Sequence, residues 1–405
     1  MILNSTSKFV TLLFVLQVSV FSLHAQIATG KWEASLQLDK NTSLPLRLEV
    51  QKGQAEYAFT IVNAEERIAL KNLSQKGDTF TLQFPDFNSV LKFKISKKKF
   101  KGYWINYNRG NNYQIPFSAN LAGKTKKTNN NTDFTGKWKT VFDVNTPDSS
   151  FAIGVFSSKN NHITGTFLTE TGDYGFLEGA ITGNKMYLSC LDGSHAFLFT
   201  GELNNGKIAG KFHSGTHYSG NYQAIKDEKF ELKNPEKITY LTSDEPLKFE
   251  MKDLNGDVYT YPNQELKNKV VIIQIMGTWC PNCLDETNFL KQMHEKYSDK
   301  GLEIIAIGYE TPNTFEEQAK KIQLLKDRHQ LDFQFLVGGK ADKQLVSKQF
   351  SMLNSISSFP TSIFIDREGN ITKIHTGFNG PGTGDIYKTF VKETEELINK
   401  LLNQR

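Results

Sequence analysis

Three cysteines in 405 residues are too few to staple a scaffold with disulfides. Cys190, Cys280 and Cys283 also fall short of a structural zinc site, which needs four Cys or His ligands close together. His294, the histidine nearest the pair, lies about three helical turns beyond Cys283, too far to share a metal. His213 and His217 flank a glycine-bearing stretch with no third ligand in sight. Beyond residue 25 no apolar run is long enough to cross a bilayer. Excess charge is missing too, with 48 Lys+Arg against 43 Asp+Glu and a net charge of +5. The densest basic runs, Lys97-Lys98-Lys99 and residues 124–127, have no interleaved aromatics. They read as a hairpin tip and a linker, and nucleic acid is not an expected partner.

Residues 1–25 read as a secretory signal peptide. Lys8 is the one charge of its n-region, residues 9–23 are its apolar core, and Ala25 is a small residue suited to cleavage. Leu23, at the −3 position, fits less well, so an uncleaved segment that tethers the chain is the alternative. No cysteine lies near the cleavage point, which argues against a lipid-anchored lipoprotein. A soluble, exported chain is expected.

The length calls for two or three domains. Residues 26–122 and 132–228 read as two β-rich repeats. Thr29-Gly30-Lys31-Trp32 recurs as Thr135-Gly136-Lys137-Trp138, and Phe100-Lys101-Gly102-Tyr103-Trp104 has its counterpart in Ile208-Ala209-Gly210-Lys211-Phe212. Period-two runs such as Leu46/Leu48/Val50 and Leu91/Phe93/Ile95 predict strands, and Asn205-Gly206 predicts a hairpin turn. Each repeat is expected to form an antiparallel barrel or sandwich of a size that can fold alone. Residues 124–131 read as the linker between them. From residue 236 to residue 405 strands alternate with helical patterns, which implies a central sheet covered on both faces. Thr314 and Glu317 form a capping box at the start of one such helix.

Trp279-Cys280-Pro281-Asn282-Cys283 stands where the apolar run Val270–Met276 stops and a helical pattern starts. Two thiols separated by two residues in a first helical turn can close a small disulfide ring. The first also faces unpaired N–H groups and the positive end of the helix dipole, which favours thiolate over thiol. A thiolate is the nucleophile of disulfide exchange. Cys190 alternates like a strand residue and reads as a buried small apolar group.

On these residues the C-terminal part resembles the TlpA/ResA group of exported thiol–disulfide oxidoreductases, which have the thioredoxin fold. The strand and WCxxC of residues 271–283 match one motif of that group. Ser358-Phe359-Pro360-Thr361 and the apolar strand that follows match its cis-proline segment. The resemblance covers about residues 240–403 and does not extend to the β-rich repeats. It implies that Cys280 attacks, that Cys283 resolves, and that Glu286 relays the proton Cys283 must lose. It further implies that Pro360 follows a cis bond beside the thiols, with Trp279 and Phe359 lining the client site. No cofactor is implied. The implied partners are client proteins with disulfides and a membrane electron donor in the periplasm, and nothing in the sequence sets the oligomeric state.

Two departures from the group stand out. Asn282, not proline, precedes the second cysteine, and Asn288 replaces the proline two positions after the glutamate. Gln274 also stands where cytoplasmic thioredoxins bury an aspartate. The expected function is thiol–disulfide exchange, acting as a reductant. One rival is a peroxiredoxin-like thiol peroxidase, which needs threonine three residues before its cysteine where this chain has Gly277. A second is a β-domain binding protein with an accessory redox domain. The repeats are expected to position the redox domain and to leave its thiol chemistry untouched.

Overall fold

The computed structural model describes residues 27–53, 57–110, 112–123, 132–243 and 245–404. The signal peptide read at residues 1–25 and the linker read at residues 124–131 lie outside them.

The first unit is an antiparallel meander from Gly30–Gln37 to Gln114–Leu121, with Glu66–Ala69 and Lys71–Lys76 at the two ends of its sheet order. Its first and last strands pair, Trp32 opposite Leu121 and Leu36 opposite Phe117. Successive side chains of a strand point to opposite faces, so Leu44, Leu46, Leu48 and Val50 all enter the interior. There Trp32 stacks on Phe100 at 4.0 Å.

The second unit closes into a ring. Gly136–Phe142 pairs on one side with Ser150–Lys159 and on the other with the last strand, Tyr218–Lys226, while Ser150–Lys159 pairs onward to His162–Thr169. The two-residue strand Gly172–Asp173 hangs off His162–Thr169. Both units are therefore barrel-like, and the sandwich alternative does not apply.

The repeat is physical as well as textual. Trp32 Nε1 donates to the Ala28 carbonyl at 3.2 Å, and Trp138 Nε1 donates to the Phe134 carbonyl at 2.8 Å, each bond spanning four residues. A Cβ on Gly102 would lie 2.0 Å from the Lys92 carbonyl oxygen, and one on Gly210 would lie 2.3 Å from that of Thr200. Both repeats need glycine there because a neighbouring strand passes too close for any side chain.

The two units are fused rather than merely adjacent. Leu191, Ala196 and Leu198 of the second are buried in the core of the first. Buried Asn63 donates to the Leu191 carbonyl at 3.2 Å and accepts from the Leu191 N–H at 3.1 Å. Asn63→Ala orphans both backbone groups, so it is expected to destabilise the chain by about 1–3 kcal/mol. Urea unfolding at fixed pH measures this, and an unchanged midpoint would mean that the seam carries no stability.

The C-terminal sheet has seven strands. Val270–Met276, Leu302–Glu310 and Gln334–Lys340 run parallel, and the hairpins Phe249–Asp253 with Val258–Tyr261 and Thr361–Ile365 with Ile371–Thr376 flank them. Four helices accompany the sheet: α1 (Pro281–Tyr297), α2 (Phe315–His329), α3 (Lys343–Gln349) and α4 (Asp385–Asn403). All seven residues of Val270–Met276 are buried, as befits a central strand covered on both faces. Thr314 caps α2, its Oγ1 accepting from the Glu317 N–H at 3.4 Å and donating to the Glu317 carboxylate at 3.0 Å. Among the described residues no helix is long and apolar enough to cross a membrane.

Candidate active site

The central strand delivers the chain to the dithiol. After Met276 the backbone turns, the Cys280 N–H donating to the Gly277 carbonyl at 3.1 Å, and α1 begins at Pro281. Proline suits that first helical position, where an N–H would have no partner within the helix. Cys280 is the N-cap, and its Sγ accepts from the Cys283 N–H at 3.3 Å. Both cysteines are free thiols. Cys280 is 8% exposed and Cys283 not at all, so only Cys280 has a path to solvent.

Phe359 and Pro360 lie across from the thiols, joined by a cis peptide bond. Cys280 Sγ is 3.6 Å from the Phe359 carbonyl oxygen and donates towards it. Trp279 sets its ring edge-on to Phe359 at 5.6 Å and donates its Nε1–H to the Tyr309 carbonyl at 3.0 Å. Phe359 thus touches both the Cys280 sulfur and the Trp279 ring, and Pro360 follows it across the cis bond.

Glu286 faces inward from α1. Its carboxylate accepts from Gln274 Nε2 at 2.8 Å and from Ser362 Oγ at 2.9 Å. Gln274 Nε2 also donates to the Cys283 carbonyl at 3.2 Å, and Thr287 Oγ1 lies 2.8 Å from the same oxygen. Burial pushes the Glu286 carboxyl up to about 7, against the two hydrogen bonds that favour its charged form. Burial likewise pushes the Cys283 thiol well up, with the hydrogen bond and charge of Cys280 and the charge of Glu286 adding to it. Cys283 is therefore held in its thiol form. Gln274 ties the nearest carboxylate to the Cys283 backbone.

Three polar side chains of this site carry no motif. Ser362 sits beside Thr361 at the start of the strand Thr361–Ile365, ahead of three apolar residues. Thr287 is concealed on the helix face that carries the core. Glu310 ends the apolar strand Leu302–Glu310 and is fully buried. Its two oxygens accept from the Thr278 N–H and Oγ1, both at 2.8 Å, and so hold the turn that presents Cys280. His213 and His217 do not meet in a cluster. His217 Nδ1 is 3.0 Å from the Tyr113 hydroxyl, and among the described residues no three His, Cys, Asp or Glu are grouped to hold a metal ion.

The β-rich repeats are not remote from this chemistry. Ser194 Oγ donates to the Trp279 carbonyl at 3.2 Å, and Asn282 Nδ2 donates to the Asp173 carbonyl at 3.3 Å. Residues of the second unit thus bond to the WCxxC segment itself, contacts of the kind expected of units that position the redox domain.

Residues 242–389 match the Redoxin family model. The chain is 28% identical to thiol-disulfide oxidoreductase ResA of Halalkalibacterium halodurans over 157 residues, which are 38% of this chain and 76% of the relative. It is 27% identical to thioredoxin-like protein YneN of Bacillus subtilis over 129 residues, 32% of this chain and 68% of that one. Among solved structures, a secreted thiol-disulfide isomerase from Corynebacterium glutamicum aligns with 16% identity and a TM-score of 0.33, covering 44% of this chain and 99% of that one. The C-terminal part is a Redoxin domain of thioredoxin-like fold, similar to thiol–disulfide oxidoreductases.

Proposed function

We propose that this chain is an exported thiol–disulfide oxidoreductase that reduces disulfides of client proteins in the periplasm. The observation that carries the reading is Cys280 at the N-cap of α1, its sulfur accepting the Cys283 N–H at 3.3 Å. That position offers a developing thiolate both a hydrogen bond and the positive end of the helix dipole.

The Cys280 thiolate attacks one sulfur of the client disulfide. A mixed disulfide forms and the first client thiolate departs. Cys283 then gives up its proton, with Glu286 as the nearby acceptor, and attacks the Cys280 sulfur. The Cys280–Cys283 disulfide forms and the second client thiolate leaves, so the client gains two electrons and the pair loses two. Trp279, Phe359 and Pro360 hold the client segment against Cys280. A membrane electron donor returns the pair to the dithiol.

Insulin reduction by the purified full chain, together with the Cys280–Cys283 reduction potential, tests this. A reductant falls near the ~ −270 mV of thioredoxin, and a value near ~ −120 mV reverses the direction of electron flow. Failure to reduce insulin, combined with rapid consumption of peroxide, would replace the reading with a thiol peroxidase.

A further inference from the structure

The surface around Cys280 is covered from within the chain. Three residues of the second β unit, in two turns, press on the redox face. Thr171 is the first. A Cβ on Gly377 would lie 2.5 Å from the Thr171 carbonyl carbon, and the Thr171 oxygen is 3.5 Å from Ser358 Oγ, one residue before Phe359. Next comes Asp173, whose carboxylate accepts from the Gly380 N–H at 2.6 Å and from the Gly175 N–H of its own turn at 2.6 Å. A Cβ on the neighbouring Gly172 would meet Asn282 Nδ2 at 2.0 Å. The third is Ser194, in a separate turn, whose Oγ donates to the Trp279 carbonyl at 3.2 Å. That turn is itself fixed by the first unit, since Asn106 Nδ2 donates to the Ser194 carbonyl at 2.9 Å and Ser89 Oγ to the Gly193 carbonyl at 2.6 Å.

This contact differs in kind from the one between the two β units. Those share an apolar core, whereas the buried apolar residues of the redox domain and of the second unit form separate clusters. Hydrogen bonds bridge to the redox face instead, beside a space of about 160 Å³ lined by Glu66, Asp173, Asp192 and Asp285 together with apolar residues such as Phe176 and Leu284. Domains whose buried cores stay separate part more readily than units that share one core. The β units are thus one body that rests on the dithiol without being welded to it.

We propose that the second β unit sets which disulfides reach Cys280, acting as a wall that admits small disulfides and delays folded ones until it parts from the redox face. Thr171, Asp173 and Ser194 are the specificity-determining residues. The proposal rests on the oxidoreductase reading for its meaning, while its geometry concerns only access to one sulfur.

Alkylation of the reduced full chain reads that access without relying on catalysis. N-ethylmaleimide and a maleimide on a long polyethylene glycol chain share one reactive group and differ in bulk. Peptide mass spectrometry assigns the label to Cys280, and free cysteine serves as the reference. The polymer reagent is expected to lag N-ethylmaleimide at Cys280 by about tenfold more than it does on free cysteine. Asp173→Ala and Ser194→Ala each remove a bond that closes the wall, so each is expected to shrink that lag by about tenfold. A wild-type lag no larger than that of free cysteine overturns the proposal. So does an unchanged lag in both variants while their unfolding remains cooperative. Insulin reduction is measured on the same samples. If no sample reduces insulin but the lag behaves as stated, the oxidoreductase reading fails and the wall stands.

Discussion

Cys280→Ser is expected to reduce disulfide exchange to background, whereas Cys283→Ser attacks normally and then stalls as a mixed disulfide with its client. The asymmetry follows from exposure, since Cys280 is 8% exposed and Cys283 has no accessible surface. It follows equally from electrostatics. Cys280 receives the Cys283 N–H at the positive end of α1, while burial holds the Cys283 thiol in its protonated form. Cys283 becomes competent only when a mixed disulfide places an electrophilic sulfur beside it. Non-reducing electrophoresis after incubation with an oxidised client shows the trapped adduct directly. An adduct that accumulates with Cys280→Ser instead would reverse the two roles.

Glu286→Gln is expected to stabilise the chain at pH 8 and to leave it nearly unchanged at pH 4. Burial raises this carboxyl from 4.5 to about 7, so between those values the folded chain keeps a proton that the unfolded chain releases. The sign follows directly. The contribution of Glu286 is fully present below about 4.5 and is lost as pH rises through about 7. Above that range the folded chain carries a buried charge, at a cost on the order of 3 kcal/mol that a neutral glutamine avoids. Glu66, raised to about 7, and Asp173, raised to about 6, follow the same sign and remain in the variant. The difference between variant and wild type therefore isolates Glu286. Denaturant midpoints at pH 4 and pH 8 measure it, and equal differences at the two pH values would refute the assignment. The same substitution removes the proton acceptor nearest Cys283, so the pH–rate profile of the resolving step is expected to lose its inflection near neutrality.

Much of the redox domain was legible because its signals are local. A seven-residue apolar run ending at a WCxxC marks a buried strand that feeds a helix, since only a covered central strand tolerates apolar residues on both faces. Thr314 with Glu317 marks a helix start by their own hydrogen bonds. Ser358-Phe359-Pro360-Thr361 is identifiable as a motif. The barrels were legible in part, through alternation and through repeated Trp and Gly positions whose contacts the structure supplies.

What the residues by themselves determined is therefore the kind of each element and the chemistry the chain carries: strands from period two, helices from their caps and apolar faces, and a thiol pair at a helix N-terminus. Tertiary structure decided what those elements touch. Ser362 and Gln274 reach Glu286 and the Cys283 backbone from two strands outside α1, and no spacing within any one element reports the meeting. Glu310 looks like a surface residue at the end of a strand until the turn at Thr278 folds onto it. Ser194 and Asp173 reach the WCxxC segment across 85 and 109 residues of chain, counted from Ser194 to Trp279 and from Asp173 to Asn282. Periodicity is a property of neighbours along the chain, whereas shielding of a sulfur depends on surfaces brought together only after each sheet has formed.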